Sequence, residues 1–512
     1  MSDISSNNKR IAKNTLMLYI RMLITMIVGL FTSRVVLQAL GVEDYGIYNV
    51  VGGVVSMFSL LSGSLSAAIG RFITFELGRN DIEKLRKVFS SAVTIQILLA
   101  LIITVFAETI GLWFLNNKLV IPEERMFAAH WVYQLSILTF VISLISVPYN
   151  AAIIAHERMS AFAYMSIFDV FSKLLIAYSI FYTSFDKLIF YSILCAALSL
   201  LNRLIYGIYC KKHFEECTYC FSFDKSLLKQ MFGFAGWNFI GASSAVLRDQ
   251  GGNMLLNIFC GPAANAARGI AMQVNSAIHG FVGNFMVALN PQITKSYASG
   301  NHGYMMSLIY KGARFSYYIL LILSLPIIIN ANYILNLWLS IVPEHTVTFV
   351  QLVLIFKMSE SLANPLVTAM LATGNIRNYQ IIVGGLQMMN LPISYIFLKL
   401  GYPPETIFVI AIFISFCCEM ARLYMLRGMI QLSMRSFLRE VYFNVILVTI
   451  AAAIIPVILF KVLPEDFLGF IINCVCCVLC TVISILYIGL SRNERQMIIT
   501  KAVTLIRQKL NL

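Results

Sequence analysis

The sequence predicts an all-α integral membrane protein with about 14 transmembrane helices. Composition is the first ground: of 512 residues, 59% are hydrophobic and 12% charged, and the mean hydropathy is +0.80. A soluble domain averages about 25% charged residues. The pattern of the apolar runs is the second: they reach 18 residues or more and lack period-2 alternation, so a β-barrel is not expected. A hydrocarbon core ~30 Å thick takes ~20 apolar residues per helix. At that depth every backbone polar group needs an internal partner, which a helix supplies by itself.

The polar start MSDISSNNKR shows no small-residue cleavage site behind a short apolar core, so no cleaved signal peptide is read. Seven helices are expected over 11–38, 44–73, 88–115, 126–155, 160–182, 187–210 and 229–258. Seven more are expected over 263–292, 312–339, 346–372, 378–400, 404–428, 439–461 and 466–490. The tail from Arg492 sets Met497, Ile498, Val503, Leu505, Ile506 and Leu510 beside Arg495, Lys501, Arg507 and Lys509. That is the pattern of an amphipathic helix on an anionic leaflet. With the N-terminus inside, the inner loops and tail hold 26 Lys and Arg against 5 in the outer loops. The bias places both termini in the cytoplasm. It also accounts for most of the net charge of +14 without any nucleic-acid partner.

The second half resembles the first. At an offset of 220 residues, Gly41, Ser56, Gly63, Ala68, Ile73 and Thr74 meet Gly261, Ser276, Gly283, Ala288, Ile293 and Thr294 without a gap. WFLNNKLVIPEE (113–124) resembles LWLSIVPEHT (337–346), and SVPYNAAIIAHERMSAF (146–162) resembles ANPLVTAMLATGNIRNY (363–379), with Pro148 opposite Pro365. The expected organisation is a six-helix lobe over 1–210, a cytoplasmic linker over 211–228 and a second six-helix lobe over 229–430. Helices 13 and 14 over 431–490 and the tail over 491–512 follow. Both repeats begin on the cytoplasmic side, so their pseudo-symmetry axis runs along the membrane normal. Two such bundles enclosing a cavity make a transporter architecture.

Signatures of catalysis are missing. There is no phosphate-cradling GxxxxGK[ST], no HExxH and no GxSxG, and the six His are scattered. Cys474, Cys476, Cys477 and Cys480 sit in the last apolar helix, where Cys acts as a small hydrophobe. Cys217 and Cys220 form a lone CxxC in the linker, without the second pair of a zinc site. No catalytic residue, cofactor or metal is expected.

Helix-borne charges are the informative residues, because each costs ~2.5–3.5 kcal/mol at a membrane centre unless it faces a cavity or a partner. Asp169 and Lys173 are i,i+4, and Lys357 and Glu360 are i,i+3, spacings that share a helix face. They read either as structural ion pairs or as ion-linked pairs in a lumen. Arg21, Arg34 and Arg268 have no acid within four residues. Arg248 has only the adjacent Asp249, and neighbours in sequence point to different faces. Arg in excess of acids makes a cationic cavity suited to oxyanions, phosphate above all. The alternative is snorkelling to the interface, for Arg34 first. Pro148, Pro326, Pro365, Pro392 and Pro456 lie in or near helix interiors, where they allow bends.

The stretches RVVLQALGVEDYGIYNVV (34–51), ILNLWLSIVPEHT (334–346) and ANPLVTAMLATGNIRNYQIIVGG (363–385) resemble the polysaccharide-biosynthesis flippases (Wzx-type) of the multidrug/oligosaccharidyl-lipid/polysaccharide (MOP) exporter superfamily. In helix count, lobes and loops the likeness covers nearly the whole chain. It implies a MATE-like pair of six-helix lobes with two extra helices. It implies transfer of an undecaprenyl-diphosphate-linked oligosaccharide to the outer leaflet of a bacterial cytoplasmic membrane, for O-antigen, capsule or exopolysaccharide. Arg21, Arg34, Arg248 and Arg268 would hold the diphosphate. The implied partners are that lipid-linked substrate, membrane lipids, and a polymerase or other polysaccharide-assembly proteins. A cation-coupled drug exporter of the same superfamily is the competing reading, favoured by an acidic cavity around Asp169, Glu360 or Glu419. A glycan polymerase or ligase is disfavoured, since the outer loops run shorter than about 15 residues.

Within GVEDYG, Gly41 is expected to end helix 1 as a C-cap. Glu43 and Asp44 suit the positive end of helix 2, and Ala263 and Ala264 stand opposite them in the second half. The turn, including Gly46, therefore reads as a family marker and hinge rather than a binding site.

Overall fold

A computed structural model describes residues 2–56, 59–117, 121–219, 224–338, 342–464, 466–492 and 494–496. Among the described residues every regular element is a helix. Ten helices are long and apolar enough to cross a bilayer, or eleven when the bent pair Thr346–Ser361 and Asn364–Thr373 counts as one span. The other three expected spans, 44–73, 229–258 and 263–292, also lie in helices, Ser2–Ser56 with Ser59–Arg79, and Lys225–Ala298. They are richer in Gly, Ser and Asn and carry Arg248, Asp249 and Arg268. Small and polar surfaces of this kind belong against protein or a polar cavity rather than lipid. Large apolar side chains such as Leu101, Val105, Leu175 and Val462 are instead exposed, as lipid-facing positions are.

The segment Lys225–Ala298 counts 74 residues, which would run ~110 Å if straight. It does not run straight. Arg268 Nη2 donates to the backbone carbonyl of Asp249 at 2.9 Å, two positions a straight helix would hold ~28 Å apart. The chain reverses between them, where the sequence has Gly261-Pro262, and the two expected spans 229–258 and 263–292 are its two arms. The first reversal, at Gly41, has φ 82° and ψ 170°. That left-handed conformation suits glycine, which has no Cβ to clash.

Packing divides the chain into two units. The first is Met1–Ala242 with Val287–Asn301, and the second is Ser243–Met286 with His302–Leu512. The segment 287–301 thus packs with the first unit.

One cluster of the first unit's core is built from Val35, Val36, Ala39 and Leu40 at the end of helix 1 and from Ile47 and Val51 beyond the kink. Ala107, Leu115, Tyr133 and Leu188 complete it, and all are buried. An ion-pair clasp stands beside these residues. Arg125 bonds Asp44 with two nitrogens, Nε to Oδ1 at 2.8 Å and Nη2 to Oδ2 at 2.6 Å, and Asp186 through Nη1 at 2.5 Å. Asp186 also caps its own helix by accepting from the Leu188 and Ile189 amides. Asp44 is therefore a structural anchor that joins three chain segments. The second unit repeats the device 220 residues on, where His345 Nδ1 meets Glu405 at 2.6 Å. Glu43 and Gly46 lie on the helical stretch beyond Gly41.

A second knot in the first unit surrounds Glu157, whose side chain is 1% exposed. Arg10 (2.9 Å), Lys295 (2.8 Å) and Gln292 (2.6 Å) all reach its carboxylate, and Asn14 donates to its backbone carbonyl. A buried carboxylate persists only when so surrounded.

Several expected helices are interrupted. The span 88–115 contains a π-helical turn over Ala107–Gly111, and the Ala107 carbonyl accepts the Tyr133 hydroxyl at 2.7 Å. The span 346–372 breaks by 40° between Ser361 and Asn364, ahead of Pro365, which cannot donate to the preceding turn. Its counterpart Pro148 stays inside the continuous helix Met126–Ala155, so the two halves differ there. The span 378–400 breaks at Met389, into Arg377–Met388 and Asn390–Lys399. Arg422, counted above with the inner-loop cations, is 5% exposed within the helix Thr406–Ile430 and belongs to the interior. The tail beyond residue 496 lies outside the described residues.

Replacing Arg125 by Gln leaves Asp44 and Asp186 facing each other without a cation. Unfolding in detergent should become easier by about 1–3 kcal/mol, between the values for exposed and buried pairs. Burial pushes the Asp186 carboxyl up, but Arg125 and the Ile189 and Leu188 amides outweigh it and hold the group below its ordinary value. A carboxyl depressed in this way stabilises the fold above its unfolded value of ~3.9 and stops doing so as pH falls through the folded value. The gap between Arg125→Gln and the natural protein should be full near neutrality and shrink below pH ~4. A gap that is constant with pH would contradict the clasp.

Candidate functional site

The second unit gathers the charges that matter. Arg248 and Asp249 sit before the reversal of Lys225–Ala298 and Arg268 after it. Lys357 and Glu360 occupy the last turns of Thr346–Ser361, directly before the break at Pro365. Asn390 opens the helix Asn390–Lys399 that follows the second break. Arg248, Asp249, Arg268, Lys357 and Asn390, with Phe356 and Phe408, line a cavity of about 30 Å³. Broken membrane helices lend their ends to binding sites in membrane transporters; here Asn390, next to the interruption at Met389, lines the cavity, and Lys357 lines it from the helix that ends at Ser361.

The ion pairs form a chain. Arg248 Nε donates to Asp249 Oδ1 at 2.9 Å, and Arg248 Nη1 reaches Glu360 Oε1 at 3.3 Å. Lys357 Nζ holds the other oxygen of Glu360 at 2.6 Å. The sequence treats Arg248 and Asp249 as pointing apart. The structure corrects this: the long guanidinium arm curls back to its neighbour and still spans to a helix 112 residues away. Arg248, at 9% exposure, is a fully engaged cation.

Arg268 is different. At 5% exposure it spends Nη2 on the Asp249 carbonyl, while Nε and Nη1 have no hydrogen-bond partner. Asn390 Nδ2, in a side chain from a residue 2% exposed, has none either. Three buried donors without an acceptor thus belong to two residues that line one cavity. Gly252 lets Arg268 lie against the helix, since a Cβ there would stand 2.4 Å from Nη1. Deeper in the unit Glu419 is 0% exposed, and neither of its carboxylate oxygens has a hydrogen-bond partner.

The remaining sequence candidates lie in the first unit. Arg21 donates to Ser166 Oγ at 3.4 Å and stands 4.6 Å over the Phe162 ring. Asp169 accepts from Lys173 at 2.8 Å and from Asn202 at 2.7 Å. Arg34 is exposed. Among the described residues no three His, Cys, Asp or Glu side chains converge as a metal site, and Cys220 lies outside them. Sequence reasoning missed Asn390 and Glu157. A polar Asn inside the apolar MMNLP stretch and an acid in a basic inner loop were the available signals.

Removing the shared acid should be costly. Glu360→Gln strands Arg248 and Lys357 and should destabilise the protein by about 3–5 kcal/mol, read as a lower unfolding midpoint in detergent. Adding Lys357→Met should recover part of that loss, because one stranded charge disappears. Additive losses would show that Glu360 is not shared.

Comparison with known proteins follows the same lines. A family model described as polysaccharide biosynthesis protein matches residues 11–297. The uncharacterised membrane protein EpsK of Bacillus subtilis (strain 168) is 19% identical over 326 residues, which is 62% of this chain. The chain spans 63% of the length of that relative. Among solved structures, an outward-facing multidrug resistance MATE family transporter of the MOP superfamily superposes with a TM-score of 0.70 at 13% identity. The match covers 83% of this chain and 96% of that one. A MOP superfamily transporter from Pyrococcus furiosus, described by the reverse polarity of its binding pocket, gives 0.69 at 13% identity over the same shares. These two likenesses speak for the fold.

Proposed function

The chain belongs to the polysaccharide biosynthesis protein family, and from that premise we propose that it flips a diphosphate-linked lipid oligosaccharide across the cytoplasmic membrane of a bacterium. One observation carries the proposal: Arg268 Nε, Arg268 Nη1 and Asn390 Nδ2 are buried donors around one cavity with no acceptor. An unmet buried donor costs ~1–3 kcal/mol, so three together describe a site made for a ligand rich in acceptors. A diphosphate offers only acceptors, and Arg binds it through two parallel bonds. A cationic drug offers the wrong charge to this group.

The cavity is too small for a diphosphate as it stands, so binding goes with movement of the lining side chains. Arg248 is poised for that exchange, since its contact to Glu360 is longer than the contact by which Lys357 holds the same acid. Arg21 and Arg34 are the first unit's cations on the helix expected to be first. Both termini lie in the cytoplasm on this reading, and alternating access moves the head group outward. Without a nucleotide-binding motif, the driving force is an ion gradient, the membrane potential or consumption of the flipped lipid by the assembly proteins beyond.

Arg268→Ala is the informative variant, because Arg268 makes no side-chain ion pair that its loss would break. In the native host it should cut surface polysaccharide at least tenfold. The lipid-linked precursor should accumulate, and the variant should stay in the membrane at normal abundance. Undiminished polysaccharide would refute the diphosphate site. Glu419 favours a second reading, cation-coupled drug export, because a buried carboxylate without partners suits a migrating cation. Loss of drug tolerance in Glu419→Gln with surface polysaccharide intact would support it.

A further inference from the structure

We propose that the second unit carries a carbohydrate site at the end that the charge bias makes the outer one. A cavity of about 270 Å³ lies there, between the helix Ala331–Trp338 and the start of the helix Phe467–Ser484. It is separate from the Arg248–Arg268 cavity and uses none of its residues.

Its floor is rigid. Asn330 Nδ2 donates to Asn473 Oδ1 at 3.0 Å, and Asn473 Nδ2 donates to the Pro456 carbonyl at 2.9 Å. The two residues are 3% and 1% exposed. The Tyr333 ring forms one wall and stacks on Phe470 at 4.8 Å between centroids. The rim supplies uncommitted polar atoms. Asn336 Nδ2 donates to Asn332 Oδ1 at 3.2 Å, which leaves the Asn332 amide as donor and the Asn336 carbonyl as acceptor. Asp466 Oδ1 accepts the Gly469 amide, and Oδ2 remains. The Tyr333 hydroxyl makes no hydrogen bond among the described residues.

A sugar ring matches this inventory. Its hydroxyls each donate and accept, so they pair with planar amides and carboxylates, and its C–H face lies on an aromatic ring. Charge argues the same way. Among the described residues no Lys, Arg or His lines the cavity, which disfavours a phosphate and suits a neutral or amino sugar. The volume takes about one ring, near the lower end of ligand pockets of ~300–1,000 Å³. An interfacial aromatic belt accounts for exposed Trp338 and Phe467. It does not account for four Asn, a residue type disfavoured in helices, converging on one hollow. That the sugar arrives on a flipped lipid rests on the flippase reading; that the cavity holds a sugar ring does not.

The test uses the full-length protein in detergent and saturation-transfer NMR with glucose, galactose and N-acetylglucosamine as probes. At least one should give saturable transfer in the millimolar range. Asn332→Ala with Asn336→Ala, both at exposed positions, should weaken it at least tenfold. Arg268→Ala should leave it unchanged even though that variant loses surface polysaccharide. Should the double variant fail to fold, Asn336→Trp fills the hollow and must abolish the same signal. No saturable transfer from any of the three probes, or transfer unaltered in the folded variants, overturns the site. If Arg268→Ala keeps its polysaccharide while the probes still bind, the diphosphate site falls and the carbohydrate site stands.

Discussion

A charge inside a bilayer must be answered from within the protein, and that constraint organises this molecule. Water is not at hand to screen it, and an unpaired carboxylate or guanidinium costs several kcal/mol. Several charged groups here recruit partners from distant parts of the chain. Arg125 draws Asp44 and Asp186 to one place. Glu157 draws Arg10 and Lys295. Arg248 and Lys357 share Glu360. Apolar packing alone cannot do this work in lipid, where one greasy face is as good as another. Ion pairs and close-approach glycines specify which helix meets which.

The same constraint separates structure from function. Where a buried group is fully answered, as Glu157 is, its role is to hold segments together. Where it is under-answered, as Arg268, Asn390 and Glu419 are, stability has been given up for something else. Of the residues with under-answered donors, Asn390 adjoins the interruption at Met389 and Arg268 follows the reversal of its own segment. The two halves also differ in their breaks: Pro148 leaves its helix unbroken while Pro365 follows a 40° bend. Duplicated architecture has diverged at the place where chemistry is concentrated. At the expected outer turns it has kept its form, with Arg125–Asp186 and His345–Glu405 in matching register.

Hydropathy made the helices legible, because a long apolar run has one stable conformation in lipid. Among the described residues, eleven of the expected spans coincide with helices long and apolar enough to cross a bilayer, counting the bent pair as one, and both local pairs, Asp169–Lys173 and Lys357–Glu360, bond as their spacing suggests. What escaped was long-range. Asp44 reads as a helix-start acid until Arg125 arrives from 81 residues away. Asn390 reads as an interruption in MMNLP until the fold places it on the lining of the cavity with Arg268. The partner of Arg248 was sought among its neighbours, and half of it lay on another helix. Periodicity encodes which face a residue occupies; it does not encode which face of which other helix comes to meet it.

The order of bond lengths in the Arg248–Glu360–Lys357 chain bears on how an anion could pass without stranding a charge. Glu360 is held more tightly by Lys357, at 2.6 Å, than by Arg248, at 3.3 Å. An incoming diphosphate on the proposed reading competes for the weaker of the two bonds. Arg248 then keeps a charged partner throughout, first Glu360 and then phosphate, and Glu360 keeps Lys357. Arg268 and Asn390 move from unmet to met in the same step, which repays the cost of carrying them. Release reverses the exchange, and Arg248, Glu360 and Lys357 stay paired throughout. A site built from Arg268 alone would bind an anion; only the shared acid lets it be given up again.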